Sequence, residues 1–275
     1  MTLENIRILQ IANEAGPLRL FVLPVCDALK AQGAQVELAC MEDGPNFAPL
    51  AAAGYPLHAI PRGSWKKPTH WVCVYRHVRR LLKAGRYDLM VVHTPVISWI
   101  ARYASRGLVG ATMYVAHGLP FTPRQPWHVR TALRMIEQFA GRYTDAILVM
   151  NKIDENACKR YQLTRSGGFC MKIPGVGVNV DAYAQPLDDA TRRQIDAEFA
   201  LRPDKPLLLY LGRFIPDKRP GDILELARRL GDRADFLLAG EGPLWDQIAA
   251  EAQQIGPHVH VIGWTDKSAD LVRRC

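Results

Sequence analysis

Between Gly44 and Ile136 this sequence carries a single acidic residue, Asp88. Thirteen basic residues share the stretch: Arg62, Lys66, Lys67, Arg76, Arg79, Arg80, Lys83, Arg86, Arg102, Arg106, Arg124, Arg130 and Arg134. Thirteen cations against one anion put it at +12, so the rest of a chain with net charge +8 is acidic, at −4. Other absences exclude whole classes. No apolar run approaches the ~20 residues of a membrane-spanning helix. Met1–Gln10 contains Glu4 and has no charged-then-apolar leader, so a cytoplasmic protein is expected. The six cysteines, at 26, 40, 73, 158, 170 and 275, form no C-x-x-C pair and no metal-like spacing with histidine. They read as reduced thiols. No two aspartates stand two apart, so a D-x-D motif is missing and no metal is expected in the site. A strand–GxGxxG–helix unit, a Walker A sequence and a G-x-S-x-G elbow are all absent.

What is present is alternation. "IRILQIAN" (6–13), "QVELAC" (35–40), "DLMVVH" (88–93), "TMYVAH" (112–117), "AILVM" (146–150) and "KIP" (172–174) read as strands with helical periods between them. One of those helices is expected over Leu18–Gln32, ended by Gly33. Continuous apolar strands alternating with helices predict a parallel sheet covered on both faces. "PGVGVNVDAYAQPLDD" (174–189) has no clear period and reads as a linker. A second alternation follows: helix 188–200, strand 206–212, helix 220–230, strand 234–240, helix 243–255, strand 258–263, and a last helix from about Lys267. The expected architecture is therefore α/β, with two Rossmann-like parallel-sheet domains, 1–176 and 177–275, the second incomplete with three strands. Ligands of such sheets bind beyond the carboxyl ends of the strands, so residues just after strands are the candidates.

"LGRFIPDKRP" (211–220) follows a leucine-rich strand. Gly212 lets the backbone approach a ligand, Arg213 and Lys218 can straddle an anion, and a helix start at Pro220 would add N–H donors. The assembly suits a diphosphate. His117 and Gly118 end one strand, and His93 and Thr94 end another, stopped by Pro95. A histidine there can exchange hydrogen bonds with a sugar hydroxyl and titrates near neutrality. "LAGEGPLWDQI" (238–248) offers Gly240, Glu241 and Gly242 as a turn against which a nucleoside can lie, with Pro243 in the first turn of the helix. Trp264 and Thr265, in "HVIGWTDKSADL" (260–271), can frame a planar base. A tight turn and a packing tryptophan explain the last two stretches equally well.

Four of the six tryptophans (65, 71, 99 and 127) lie in the basic stretch, a mixture that suits an anionic lipid surface or a nucleic acid. Amphipathic helices with basic solvent faces would read the same way.

Taken together these stretches resemble the retaining GT-B glycosyltransferases of glycosyltransferase family four. "LLLYLGRFIPDKRP" is similar to the family's phosphate loop, "LLAGEGPLWDQI" to its GDGPLR-type turn, and "VIGWTDKSADLV" to the strand and loop that follow. "VAHGLPF" resembles the His-Gly element of members that build capsule, O-antigen and exopolysaccharide repeats, and "LFVLPVCDALKAQGAQVELAC" their first helix and second strand. The resemblance implies hexosyl transfer with retention from a sugar nucleotide, by default UDP-linked, with no cofactor beyond that substrate. Arg213 and Lys218 would stabilise the leaving diphosphate in place of a metal. His117 would sit beside donor sugar and acceptor, Gly16 would approach the phosphates, and Trp264 and Thr265 would border the base.

The acceptor implied is an undecaprenyl-diphosphate-linked sugar or similar, held at the inner membrane face. The segment 69–85 is expected to supply peripheral contact with an anionic membrane, with Val74, Val78, Leu81 and Leu82 on one face and Arg76, Arg79, Arg80 and Lys83 largely on the other. Relatives carry two glutamates eight positions apart, expected a little beyond residue 275, so a truncated and impaired enzyme is expected. Nucleic acid is not an expected partner, since charge alone supports it. A non-catalytic remnant is the other rival, and an epimerase is disfavoured because Y-x-x-x-K is absent.

Overall fold

The computed structural model describes residues 3–275 except positions 43, 45 and 179. The chain divides into two compact units, Met1–Val178 and Asn179–Cys275.

The first unit is built on seven strands: β1 (Arg7–Ile11), β2 (Gln35–Met41), β3 (Leu57–Ile60), β4 (Leu89–His93), β5 (Ala111–Ala116), β6 (Ala146–Val149) and β7 (Phe169–Lys172). They lie in the order β3-β2-β1-β4-β5-β6-β7, and every adjacent pair is parallel. Its helices are α1 (Ala15–Pro17), α2 (Leu23–Ala31), α3 (Phe47–Ala51), α4 (Pro68–Gly85), α5 (Pro95–Ala104), α6 (Trp127–Gly141) and α7 (Lys152–Tyr161). Successive residues of β1 serve opposite faces: Leu9 and Ile11 join a core with Val74, Val78, Leu82 and Ile97, while Ile8 joins one with Leu18, Val22 and Cys26. Burial on both faces is why the central strands read as unbroken apolar runs.

The helix expected over 18–32 is not continuous. Leu18–Val22 is a π-helical turn between α1 and α2, in which Leu23 N–H bonds to Leu18 O. Pro24 has no N–H for an α-type bond to Leu20, so the ladder widens there. The strand expected at 172–174 lies earlier, over Phe169–Lys172, because β7 pairs with β6 from Phe169 opposite Ala146. Ile173 N–H makes one more bond, to Val149 O at 2.8 Å, and Pro174 can make none. The edge strand β3 and the short helix α3 add to the elements expected.

Packing beneath α6 involves a buried ion pair. Arg102 Nη2 of α5 lies 2.6 Å from Glu137 Oε2 of α6, and both side chains are fully buried. Trp99 Nε1 donates to the other carboxylate oxygen at 2.6 Å, and the Arg102 guanidinium lies 4.5 Å from the Tyr114 ring centroid.

In the second unit β8 (Leu207–Leu211), β9 (Asp235–Ala239) and β10 (Val259–Ile262) form a parallel sheet in the order β10-β9-β8. Its helices are α8 (Val180–Ala184), α9 (Asp189–Glu198), α10 (Gly221–Leu230), α11 (Trp245–Ile255) and α12 (Ser268–Arg274). Leu224, Ala227, Ile248 and Ala252 of α10 and α11 pack with Phe236 and Leu238 of β9. Ile195 of α9 and Leu271 of α12 pack with Leu207 and Leu237. The short helix α8 lies inside the stretch expected to be a linker.

Candidate functional site

In the second unit the three loops after β8, β9 and β10 are tied to one another. Gly212 N–H donates to Ala239 O at 3.1 Å, Phe214 N–H to Glu241 O at 2.8 Å, and Gly240 N–H to Ile262 O at 3.1 Å. Phe214 is fully buried and stacks on Trp245, centroids 5.7 Å apart. It anchors the loop whose neighbours Arg213 and Lys218 are exposed. Arg219, the third cation, pairs with Asp222 at 2.8 Å. Arg213 and Lys218 have no ion-pair partner among the described residues.

Tyr210 fixes the spacing of those two cations. Its hydroxyl lies 3.1 Å from Arg213 O and 3.2 Å from Lys218 O, so one phenolic proton serves both ends of the loop. Burial pushes the phenol's pKa up and keeps that proton in place. The start of the helix is less open than its sequence suggests. Pro216–Lys218 forms a 3-10 turn, Arg219 adopts a left-handed conformation (φ 51°), and α10 begins at Gly221 rather than Pro220. Asp222 N–H and Ile223 N–H already bond to Arg219 O and Pro220 O, so two of the first-turn donors are in use.

The glycines of the next loop do a packing job. A Cβ at Gly240 would lie 1.9 Å from Gly212 O, and one at Gly242 (φ 152°) would lie 2.5 Å from Phe214 O. Their bareness lets the turn press against the Arg213 loop. Pro243 precedes the N-cap residue Leu244 rather than lying in the helix, because α11 starts at Trp245. Glu241 is exposed, its Oε1 within 3.7 Å of where a Cβ on Gly263 would stand. Trp264 is 57% exposed, a free indole beside the same loops. Thr265 Oγ1 accepts from Lys267 N–H at 3.1 Å.

In the first unit the ends of β1, β4 and β5 make a second polar cluster. His117 stands one residue beyond β5 and is exposed, with its pKa lowered by partial burial, so the neutral ring both donates and accepts. His93 is not exposed beside it but packed beneath, 5% exposed, ring centroids 5.8 Å apart. Its Nε2 lies 2.9 Å from Gln10 Oε1, and its Nδ1 is buried without a protein partner. Thr94 acts as a brace: its Oγ1 accepts from Asn13 N–H at 3.0 Å, and its φ of 59° places it in a strained region for a β-branched residue. Asn13 Oδ1 is also buried and unpartnered. At Gly16 a Cβ would meet Asn46 Nδ2 at 3.5 Å, an ordinary contact, so packing alone does not demand glycine there. Sequence reasoning missed Gln10, Asn13, Tyr210 and Phe214. Only Asn13 gave a signal, as a polar residue just past a strand.

Burial of His93, with the nearby His117 adding to it, holds its pKa down to about 3. An unfolded histidine titrates near 6.5. Between those values the unfolded chain binds a proton that the folded chain refuses, so His93 makes the protein less stable as pH falls from about 6.5 toward 3. The urea midpoint should drop between pH 7.5 and pH 5, and drop less in His93→Gln. An equal drop in both proteins would remove His93 from the account.

Among the described residues, no three His, Cys, Asp or Glu side chains gather where a metal ion could be held. No helix among them is long and apolar enough to cross a membrane.

Two successive parallel α/β units, the second with glycine loops and cations at its strand ends, define a GT-B-type fold. The chain belongs to the GT4-type glycosyltransferases: residues 18–165 match the glycosyl transferase 4-like domain, and residues 191–275 match glycosyl transferases group 1. It is 28% identical over 239 residues to EpsD of Bacillus subtilis (strain 168), itself named as a candidate glycosyltransferase, covering 79% of this chain and 62% of that one. It is 23% identical over 267 residues to the phosphatidyl-myo-inositol mannosyltransferase of Mycobacterium leprae (strain TN), covering 91% of this chain and 64% of that one. The chain thus spans less than two thirds of the length of either curated relative. A crystal structure of Anabaena HepE in complex with UDP and glucose shares the fold, with a TM-score of 0.78 at 14% identity, over 98% of this chain and 73% of that one.

Proposed function

We propose that this chain carries the activity of a retaining, metal-independent hexosyltransferase that takes its sugar from a nucleoside diphosphate sugar, with UDP as the carrier. The observation that carries the reading is the β8 loop: two exposed cations without ion-pair partners, their spacing set by Tyr210 and their loop anchored by Phe214. Arg213 and Lys218 take the negative charge that develops on the departing diphosphate as the anomeric C–O bond breaks. Trp264 and Thr265 border the base, and Gly212, Gly240, Glu241 and Gly242 form the floor on which the nucleotide lies. Gly16 approaches the phosphates, and His117, with the His93 ring packed beneath it, exchanges a hydrogen bond with the sugar or the acceptor hydroxyl. The sugar nucleotide is a substrate, and no further cofactor enters.

The acceptor in this reading is a lipid-linked sugar of the undecaprenyl-diphosphate kind, met at an anionic membrane surface by residues 1–176, while residues 177–275 hold the donor. EpsD, the mannosyltransferase and HepE with its UDP and glucose support the chemistry by likeness. The product would serve surface polysaccharide synthesis. Isothermal titration of the chain with UDP, GDP and UDP-N-acetylglucosamine tests the donor reading. Saturable heat with UDP and UDP-N-acetylglucosamine, weaker with GDP, is expected. Absence of heat with all three would sink it.

A further inference from the structure

Helix α4 is the expected membrane face, but the apolar residues expected to form that face are spent. Val74, Val78 and Leu82 are fully buried in the core of the first unit, and Leu81 packs against the same core. A helix whose apolar face is already covered can attract a charged surface but cannot insert into it.

Helix α6 shows the opposite arrangement. Val129, Met135, Ile136 and Phe139 are 38%, 61%, 36% and 45% exposed, and Ala132 among them is exposed too. At helical spacing these side chains form one stripe along α6. Trp127, at the start of the helix, is 73% exposed. A run of this size on one helix is more than scattered surface apolarity. The charges around it have one sign. Between Asp88 and Asp145 the only carboxylate is Glu137, which is buried against Arg102. Arg124 and Arg130 are exposed just before and within the helix, and Arg142 is exposed just after it.

An apolar stripe with a terminal tryptophan, flanked by arginines and free of exposed carboxylates, matches the chemistry of an anionic bilayer interface. A second protein copy, carrying the same positive fringe, would meet like charges. We propose that α6 is the element that inserts into an anionic membrane surface, lying in the interfacial plane, while the arginines around it and the exposed Arg76, Arg80 and Lys83 of α4 contribute long-range attraction only. The assignment deepens the reading of a peripheral protein with a lipid-linked acceptor and rests on it.

The test is flotation with vesicles of phosphatidylcholine alone and of phosphatidylcholine with phosphatidylglycerol, at physiological salt. The unaltered chain floats with the anionic vesicles. Trp127→Ser/Met135→Ser/Ile136→Ser lowers that partitioning by about tenfold or more, and its heat of UDP binding is unchanged. Bromine-labelled acyl chains quench the tryptophan fluorescence of the unaltered chain, and quench Trp127→Phe less. Equal flotation of the triple variant would overturn the assignment, as would failure of the unaltered chain to float. Sedimentation equilibrium showing a dimer that the triple substitution dissolves, without vesicle binding, would assign the stripe to a second copy instead. Lost UDP heat in the unaltered chain would strike at the donor reading and leave the flotation result standing.

Discussion

Arg213→Ala/Lys218→Ala is expected to weaken binding of UDP by on the order of a hundredfold, with no change in thermal midpoint. Each cation offers a charge-assisted hydrogen bond to a phosphate oxygen, worth about 1.5–3 kcal/mol when formed. Both side chains are exposed, so the lower end of that range applies to each and solvent screening trims it further. Nothing in the fold leans on either head group: Phe214 and the Tyr210 hydroxyl hold the loop through backbone and ring contacts. Titration calorimetry on the double variant, paired with a melting curve, separates loss of binding from loss of structure. Undiminished UDP affinity in the double variant would mean that the diphosphate lies elsewhere.

Glu137→Ala will destabilise the first unit by about 3–5 kcal/mol, the range for removing one partner of a buried ion pair. The Arg102 guanidinium would stay inside without its carboxylate, and Trp99 Nε1 would lose its acceptor. For a unit of this size that loss corresponds to a fall of roughly 6–20 °C in melting temperature. Arg102→Met/Glu137→Leu should recover most of it, since a buried pair replaced by packed apolar groups is often neutral. Melting curves of the single and double variants decide the matter. Equal melting of Glu137→Ala and the parent would show the pair to be energetically idle.

The strands that could be read from sequence are the ones buried on both faces. "LMVV" in β4 and "AILV" in β6 are apolar runs because α/β layering leaves no solvent side. The edge strands resist that reading. β3 and β7 are four residues each with exposed positions, so composition does not mark them, and the sequence points to "KIP", three residues after the start of β7. The cations of the β8 loop were legible because a basic pair after a leucine-rich strand is a local pattern. Tyr210 was not, since its hydroxyl matters only once the chain has turned back over it. His93 looked like a twin of His117, and only the packing of β4 between β1 and β5 puts it underneath. The sequence reads Gly240 and Gly242 as a turn against which a nucleoside can lie. What passes close in the folded chain is the neighbouring loop.

The Arg102–Glu137 pair also settles which way α6 faces. Hydrophobic burial alone would roll the helix inward by roughly a third of a turn, hiding Val129, Ile136 and Phe139. That roll would pull the carboxylate out of the interior and strand a guanidinium there, so the pair acts as a key that permits one azimuth. The outward stripe is therefore fixed while the chain folds, before any lipid is met. On the proposal that α6 inserts into an anionic surface, adsorption needs no refolding of the helix, and should proceed at the rate of encounter and show little temperature dependence beyond that of diffusion.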